Sequence, residues 1–152
     1  YLSNFTALQA EFSCLPFPNA SADVVVFNAS LHYAEDVEQV LAESLRVLRE
    51  TGMLIVMDSP VYHDAESGRQ MLAERKAQFL ARYGFPSDSI PSEGYLTYDR
   101  MRELGRRLGV VWQNHVPFYG WKWAIRPLWM RLRGRREPAQ FGLWVGRCVN
   151  PD

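Results

Sequence analysis

Two uninterrupted apolar runs, Val24-Val25-Val26-Phe27 and Met53-Leu54-Ile55-Val56-Met57, flank a stretch whose hydrophobic positions recur at helical spacing. Continuous runs of this kind, bounded by turn residues, predict parallel strands buried on both faces. Between them Val37, Val40, Leu41, Ser44, Leu45 and Leu48 fall on one stripe. Asp36 with Gln39 three residues on gives a capping-box signal, and Gly52 is the expected helix stop. Strand, amphipathic helix and strand within residues 23–60 make a βαβ unit, which requires a parallel pair and a right-handed crossover. Both strands then end on the same side. Asn28 and Asp58 are therefore expected to open onto one crevice, the side on which open α/β sheets bind ligands.

Ahead of this unit, residues 1–22 read mainly as loop. Ala10, Phe12 and Cys14 alternate with polar neighbours and allow a short strand, and the prolines of Leu15-Pro16-Phe17-Pro18 deny helix to the residues before them. Behind it, residues 61–109 predict two helices. Asp64 caps the first, which closes at Gly84 with Met71, Leu72, Phe79, Leu80 and Tyr83 inward; Thr97 caps the second, with Met101, Leu104 and Leu108 at helical spacing and Gly109 as its stop. A Gly, Pro and Ser-marked loop, 84–96, joins them. Residues 110–118 and 140–149 predict two more strands. The Trp- and Arg-rich segment 120–136 between them is expected to be helical, interrupted at Pro127, and packed on the sheet with its arginines in water.

With 152 residues, 47% of them hydrophobic, the chain can bury the core of one domain, and disorder is excluded. No apolar run reaches the roughly 18 residues of a membrane span, and the start has no signal-peptide pattern, so a cytoplasmic location is expected. The Asn-x-Ser/Thr triplets at Asn4, Asn19 and Asn28 are then chance matches. Cys14 and Cys148 have neither zinc-ligand nor disulfide-framework spacing, so no metal site is expected and the thiols are taken as free and mostly buried. The zero net charge conceals a division: three basic residues stand against eleven acidic ones through Glu74, and fourteen against six after it. The halves should attract each other. The basic residues form no nucleic-acid motif, so no nucleic-acid partner is expected.

Five blocks, in this order and spacing, resemble the class I S-adenosylmethionine-dependent methyltransferases, in their small-molecule branch: Leu15-Pro16-Phe17-Pro18, Ala22-Asp23-Val24-Val25-Val26, Asn28-Ala29-Ser30-Leu31-His32-Tyr33, Leu45-Arg46-Val47-Leu48-Arg49 and Gly52-Met53-Leu54-Ile55-Val56. The resemblance covers about Glu11 to Pro60. It implies a single α/β domain with a partial Rossmann-like methyltransferase fold: a mostly parallel sheet in the order first, second, fourth, third, its last strand antiparallel, with helices on both faces. The implied activity is methyl transfer from S-adenosyl-L-methionine to a small-molecule acceptor.

Residue by residue, the resemblance places Glu11 and Phe12 at the cofactor's adenine, where the family usually has Asp at the first position, and Asn28 beside its methionine part. His32, just past the first strand, is the candidate general base, and Tyr33 and Tyr62 are candidate acceptor-site residues. Glu50-Thr51-Gly52 replaces the family's Pro-Gly-Gly. The family's glycine-rich first loop has no counterpart before Tyr1, since the earliest glycine is Gly52. The chain is thus expected to be a C-terminal portion that binds cofactor weakly or not at all by itself. Its first strand would be an open edge that seeks a partner, either another copy or an N-terminal half. The rival expectation is a non-catalytic module that pairs through that edge.

Overall fold

A computed structural model describes residues 4–87, 91–118, 120–121 and 125–149. The elements are β1 (Ala22–Asn28), a 3-10 turn (Leu31–Tyr33), α1 (Val37–Val47), β2 (Leu48–Met57), β3 (Val61–Tyr62), α2 (Ala65–Tyr83), β4 (Leu96–Thr97), α3 (Tyr98–Leu108), β5 (Val110–His115), α4 (Arg126–Leu132) and β6 (Leu143–Cys148). The main sheet runs β1-β2-β6-β5. β1 and β2 are parallel, and β6 is antiparallel to both β2 and β5. This is the strand order the resemblance implies. A two-stranded parallel ribbon, β3-β4, was not foreseen; such short strands carry no periodicity to read.

Register puts Phe27, Leu54, Val56, Gly146, Trp144, Trp112 and Asn114 on one face of the sheet. Val37, Val40 and Leu41 of α1 and Met101 and Leu104 of α3 share a core with that face. Each such fully buried aliphatic side chain contributes about 1.5–3 kcal/mol. On the opposite face the expectation of complete burial fails: Val24 and Val26 are 42% and 51% exposed, and Met53, Ile55 and Met57 are half-buried. A strand at the sheet's edge, with α1 on one side only, leaves alternate residues in water.

Helix α1 ends at Val47, not at Gly52. Leu48 already has extended geometry and pairs with Ala22, and the last carbonyls of the helix accept from the loop before β1, Arg46 from the Ala20 amide at 3.0 Å and Val47 from Ser21 at 2.8 Å. Those bonds satisfy end groups that a longer helix would have satisfied within itself. Gly52 instead lies inside β2, where a side chain would meet the Asp23 and Arg49 carbonyls at 3.1 and 2.9 Å.

Other expectations are corrected locally. Residues 10–14 form no strand, only an isolated Glu11–Cys14 bridge. Both cysteines are free but exposed. In α2 the cap Asp64 and the left-handed Gly84 stand as predicted, yet the buried residues are Ser67 and Gly68, and Leu80 and Tyr83 are half-exposed. β5 stops at His115, and β6 occupies only Leu143–Cys148. Pro127 stands in the first turn of α4 rather than interrupting a helix, because proline is tolerated there. Parts of the 84–96 loop (88–90) and of the Trp-rich segment (119 and 122–124, with Lys122 and Trp123) lie outside the described residues. The predicted attraction between halves includes two ion pairs, Arg107–Glu38 and Arg136–Glu74, each at 2.9 Å.

Candidate functional site

Parallel pairing sets Asn28 opposite Met57, so the ends of β1 and β2 are level. Each strand is followed by a non-glycine residue with left-handed backbone, Ala29 (φ 51°) and Asp58 (φ 53°), and the Ala29 amide donates to the Met57 carbonyl at 3.0 Å. Such conformations are uncommon outside glycine and cluster where a chain must turn sharply at a site. They turn both chains sharply at one end of the sheet, the end at which the sequence places a crevice. Asn28, at the end of β1, is exposed.

Two groups of residues border this crevice. On the outer side of β1, a groove of about 540 Å³ is lined by Phe12, Leu15, Phe17, Val24, Val26, Phe27 and Ser30 among others. Phe12 meets Phe27 edge-on at 6.3 Å, and the Glu11 carboxylate is turned onto its own loop, accepting from the Phe12 amide at 3.1 Å. The structure thus brings Phe12 and Ser30 to one groove beside Asn28.

The loop that forms the groove's far wall is held by α1. Arg46 donates to the Leu15 and Phe17 carbonyls (3.1 and 2.9 Å) and to Asn19 Oδ1 (2.7 Å), and it pairs side-on with Glu43. Glu43 also accepts from the Leu15 amide at 2.7 Å. Hydrogen bonds from Arg46 and then from Leu15 hold the Glu43 carboxyl down to about 2. The linear sequence gave no signal for this clamp: Glu43 and Arg46 look like an ordinary surface pair one turn apart, and their loop partners lie almost thirty residues away.

The second group follows β1. The 3-10 turn carries His32 into the interior, 6% exposed, with Nδ1 3.2 Å from the Ser59 hydroxyl, itself buried. Burial first, and the Arg75 guanidinium second, lower the His32 pKa below its ordinary 6.5, so the ring is neutral at neutral pH. Its neighbour Tyr33 is half-exposed and stacked obliquely on the imidazole at 4.2 Å, with Arg75 of α2 5.8 Å above its ring. Tyr62 is placed differently. It is 2% exposed, packed edge-on against Tyr95, with its phenol pushed up chiefly by burial. From sequence Asp58-Ser59-Pro60 reads only as a strand end facing the crevice, and Arg75 has no signal; the fold buries Ser59 against His32 and carries Arg75 to Tyr33. Among the described residues no cluster of His, Cys, Asp and Glu is arranged to hold a metal.

Comparison with known proteins agrees with this architecture. The family model for a methyltransferase domain matches residues 2–56. The uncharacterized protein YafE of Escherichia coli K12 is 40% identical over 57 residues, 38% of this chain and 28% of that protein, so the match spans under a third of that relative. Among solved structures, YcgJ from Bacillus subtilis superimposes with a TM-score of 0.56 at 16% identity, over 94% of this chain and 71% of that one. A SAM-dependent methyltransferase from Aquifex aeolicus gives 0.54 at 13% identity, over 95% and 56%. At these identities the structural likeness is one of fold. Together with the matched segment it gives the chain a Rossmann-like methyltransferase fold.

Proposed function

We propose that the crevice serves S-adenosyl-L-methionine-dependent methyl transfer to a small-molecule acceptor. The observation that carries this reading is the level, parallel ending of β1 and β2, each turned aside by a left-handed residue, beneath a groove bordered by Phe12 and Ser30. Phe12 and Glu11 are assigned to the adenine and Asn28 to the methionine part. The cofactor supplies an activated methyl on a sulfonium; the acceptor atom forms its bond to that carbon as the carbon–sulfur bond breaks, leaving S-adenosylhomocysteine. What the protein contributes is alignment and exclusion of water, which can account for about 7–11 kcal/mol when orientation is ideal.

His32 is assigned as general base where the acceptor must lose a proton. Its neutral ring suits that role, and Ser59 fixes its orientation. Tyr33, half-exposed beside His32, is assigned to the acceptor, as is Tyr62, which is buried and packed against Tyr95. Calorimetric titration of the chain with S-adenosyl-L-methionine tests the reading. Binding with methyl turnover that weakens in Asn28→Ala and Phe12→Ala supports it; binding that neither substitution changes overturns the site assignment, and no binding favours a fragment or the non-catalytic module.

One observation favours a second reading, a non-catalytic module that pairs through its sheet edge. β1 has a neighbour on one side only among the described residues, and Val24 and Val26 are exposed beside it. Under this reading the chain self-associates or receives a partner strand at β1. Val26→Lys then lowers the association seen by sedimentation velocity, and an unchanged monomer in both proteins argues against it.

A further inference from the structure

From Val116 to Arg136 the chain has six basic residues and no carboxylate. The same stretch holds exposed apolar groups that the fold leaves uncovered. Phe118, Trp121 and Leu132 are 69%, 78% and 77% exposed, and Val116, Ile125 and Trp129 are about half-exposed or more. Phe118 and Trp121 meet edge-on at 5.7 Å, and the Arg133 guanidinium lies 4.2 Å from the Trp129 ring centre. Solvent is a poor medium for such a cluster. Scattered exposed hydrophobics need no explanation, but aromatic and aliphatic side chains gathered within one short segment mark an interaction surface.

We propose that this segment, from Val116 to Arg136, is an interfacial anchor that lays the protein on an anionic lipid bilayer. The chemistry selects this occupant. Trp and Arg suit the boundary between headgroups and acyl chains, where an amphipathic ring and a cation are both satisfied, and Leu132 and Ile125 add apolar depth. A nucleic acid would reward the arginines and the rings but not the exposed aliphatics. An acid-free run of basic residues is complementary to a negatively charged leaflet. No helix among the described residues is long and apolar enough to cross a membrane, so the contact is peripheral.

The segment is rooted at both ends. It leaves the sheet at His115 and returns at Leu143, which face each other in register at the sheet end that carries Asn28 and Met57. Its last residues are tied to α2 by Arg136–Glu74 at 2.9 Å and by the Glu137 amide donating to Ser67 Oγ at 3.1 Å. A bilayer held there lies at the crevice end of the molecule.

The test is cosedimentation of the full chain with vesicles of phosphatidylcholine alone and of phosphatidylcholine with phosphatidylglycerol in equal parts, combined with tryptophan quenching by brominated lipid. Sedimentation with the anionic vesicles, weakened by salt and accompanied by quenching, is expected. Arg133→Gln and Arg135→Gln should each lower partitioning about fivefold, the equivalent of about 1 kcal/mol per basic residue at the surface. The pair Trp121→Ala and Trp129→Ala should weaken partitioning and lower quenching while leaving the thermal transition in place, since both side chains are exposed. A chain that stays in the supernatant with anionic vesicles overturns the proposal, as does equal binding by wild type and all variants. So does a lipid-free dimer that the tryptophan pair dissolves, or binding to a duplex oligonucleotide without binding to vesicles.

Discussion

Glu43 and Arg46, one turn apart on α1, act on the loop before β1 as a unit. The carboxylate takes the Leu15 amide while the guanidinium, paired side-on with it, takes the carbonyls of Leu15 and Phe17 and the Asn19 side chain. Planar bidentate geometry is what lysine cannot reproduce. Arg46→Lys should therefore release the Leu15–Asn19 loop and weaken cofactor binding while leaving the core packed. Amide exchange at Leu15 and Phe17, measured beside the thermal transition, checks this; unchanged exchange would show the clamp to be idle.

The same pair sets a pH response. Glu43 is held down to about 2 from an ordinary 4.5, so the loop contact is complete above about 4.5 and is lost as pH falls through about 2. In Glu43→Gln the loop amides should lose that dependence. A Leu15 amide resonance that does not move between those limits in the wild type would contradict the assignment.

His32 responds in the opposite half of the acid range. Its folded pKa lies below 6.5, so the unfolded chain binds more protons; the neutral ring's contribution is present above 6.5 and is lost as pH falls through the folded value. Removing the second cause with Arg75→Gln should raise the His32 ring titration followed by NMR, without restoring it fully, because burial dominates. If His32 is the base, His32→Gln lowers turnover roughly 10²–10⁴-fold for acceptors that lose a proton. Equal loss on a pre-ionised acceptor would assign the residue to packing instead.

Gly68 sits where α2 meets Tyr95. A Cβ there would lie 2.3 Å from two ring carbons, and the Tyr95 hydroxyl is tethered to the Ala65 carbonyl at 3.3 Å. Alanine favours helix by up to about 1 kcal/mol over glycine, but overpacking costs about 1–3 kcal/mol. Gly68→Ala should thus be destabilising in chemical denaturation, and a neutral or stabilising result would mean that Tyr95 yields freely.

Asp36 accepts from the Glu38 and Gln39 amides at 2.9 and 3.1 Å. Its replacement by alanine removes a helix cap, at about 1 kcal/mol. The denaturation midpoint should fall with an unchanged slope.

Runs of β-branched residues, a capped amphipathic stripe and glycines after helices were enough to write the βαβ unit, the two later helices and the strand-end crevice from sequence, because these features act through local geometry and burial along one element. The five spaced blocks likewise pointed to the methyltransferase fold. What the linear chain could not say was where elements meet. It left Gly52 as a helix stop, both faces of the two strands as buried and the Trp-rich segment as a packed helix, and it gave no sign of the Arg46 clamp. Tertiary structure decided each differently, because hydrogen bonds across almost thirty residues, strand pairing at Leu48 and the one-sided cover of the sheet depend on separations in space that no period in the sequence encodes.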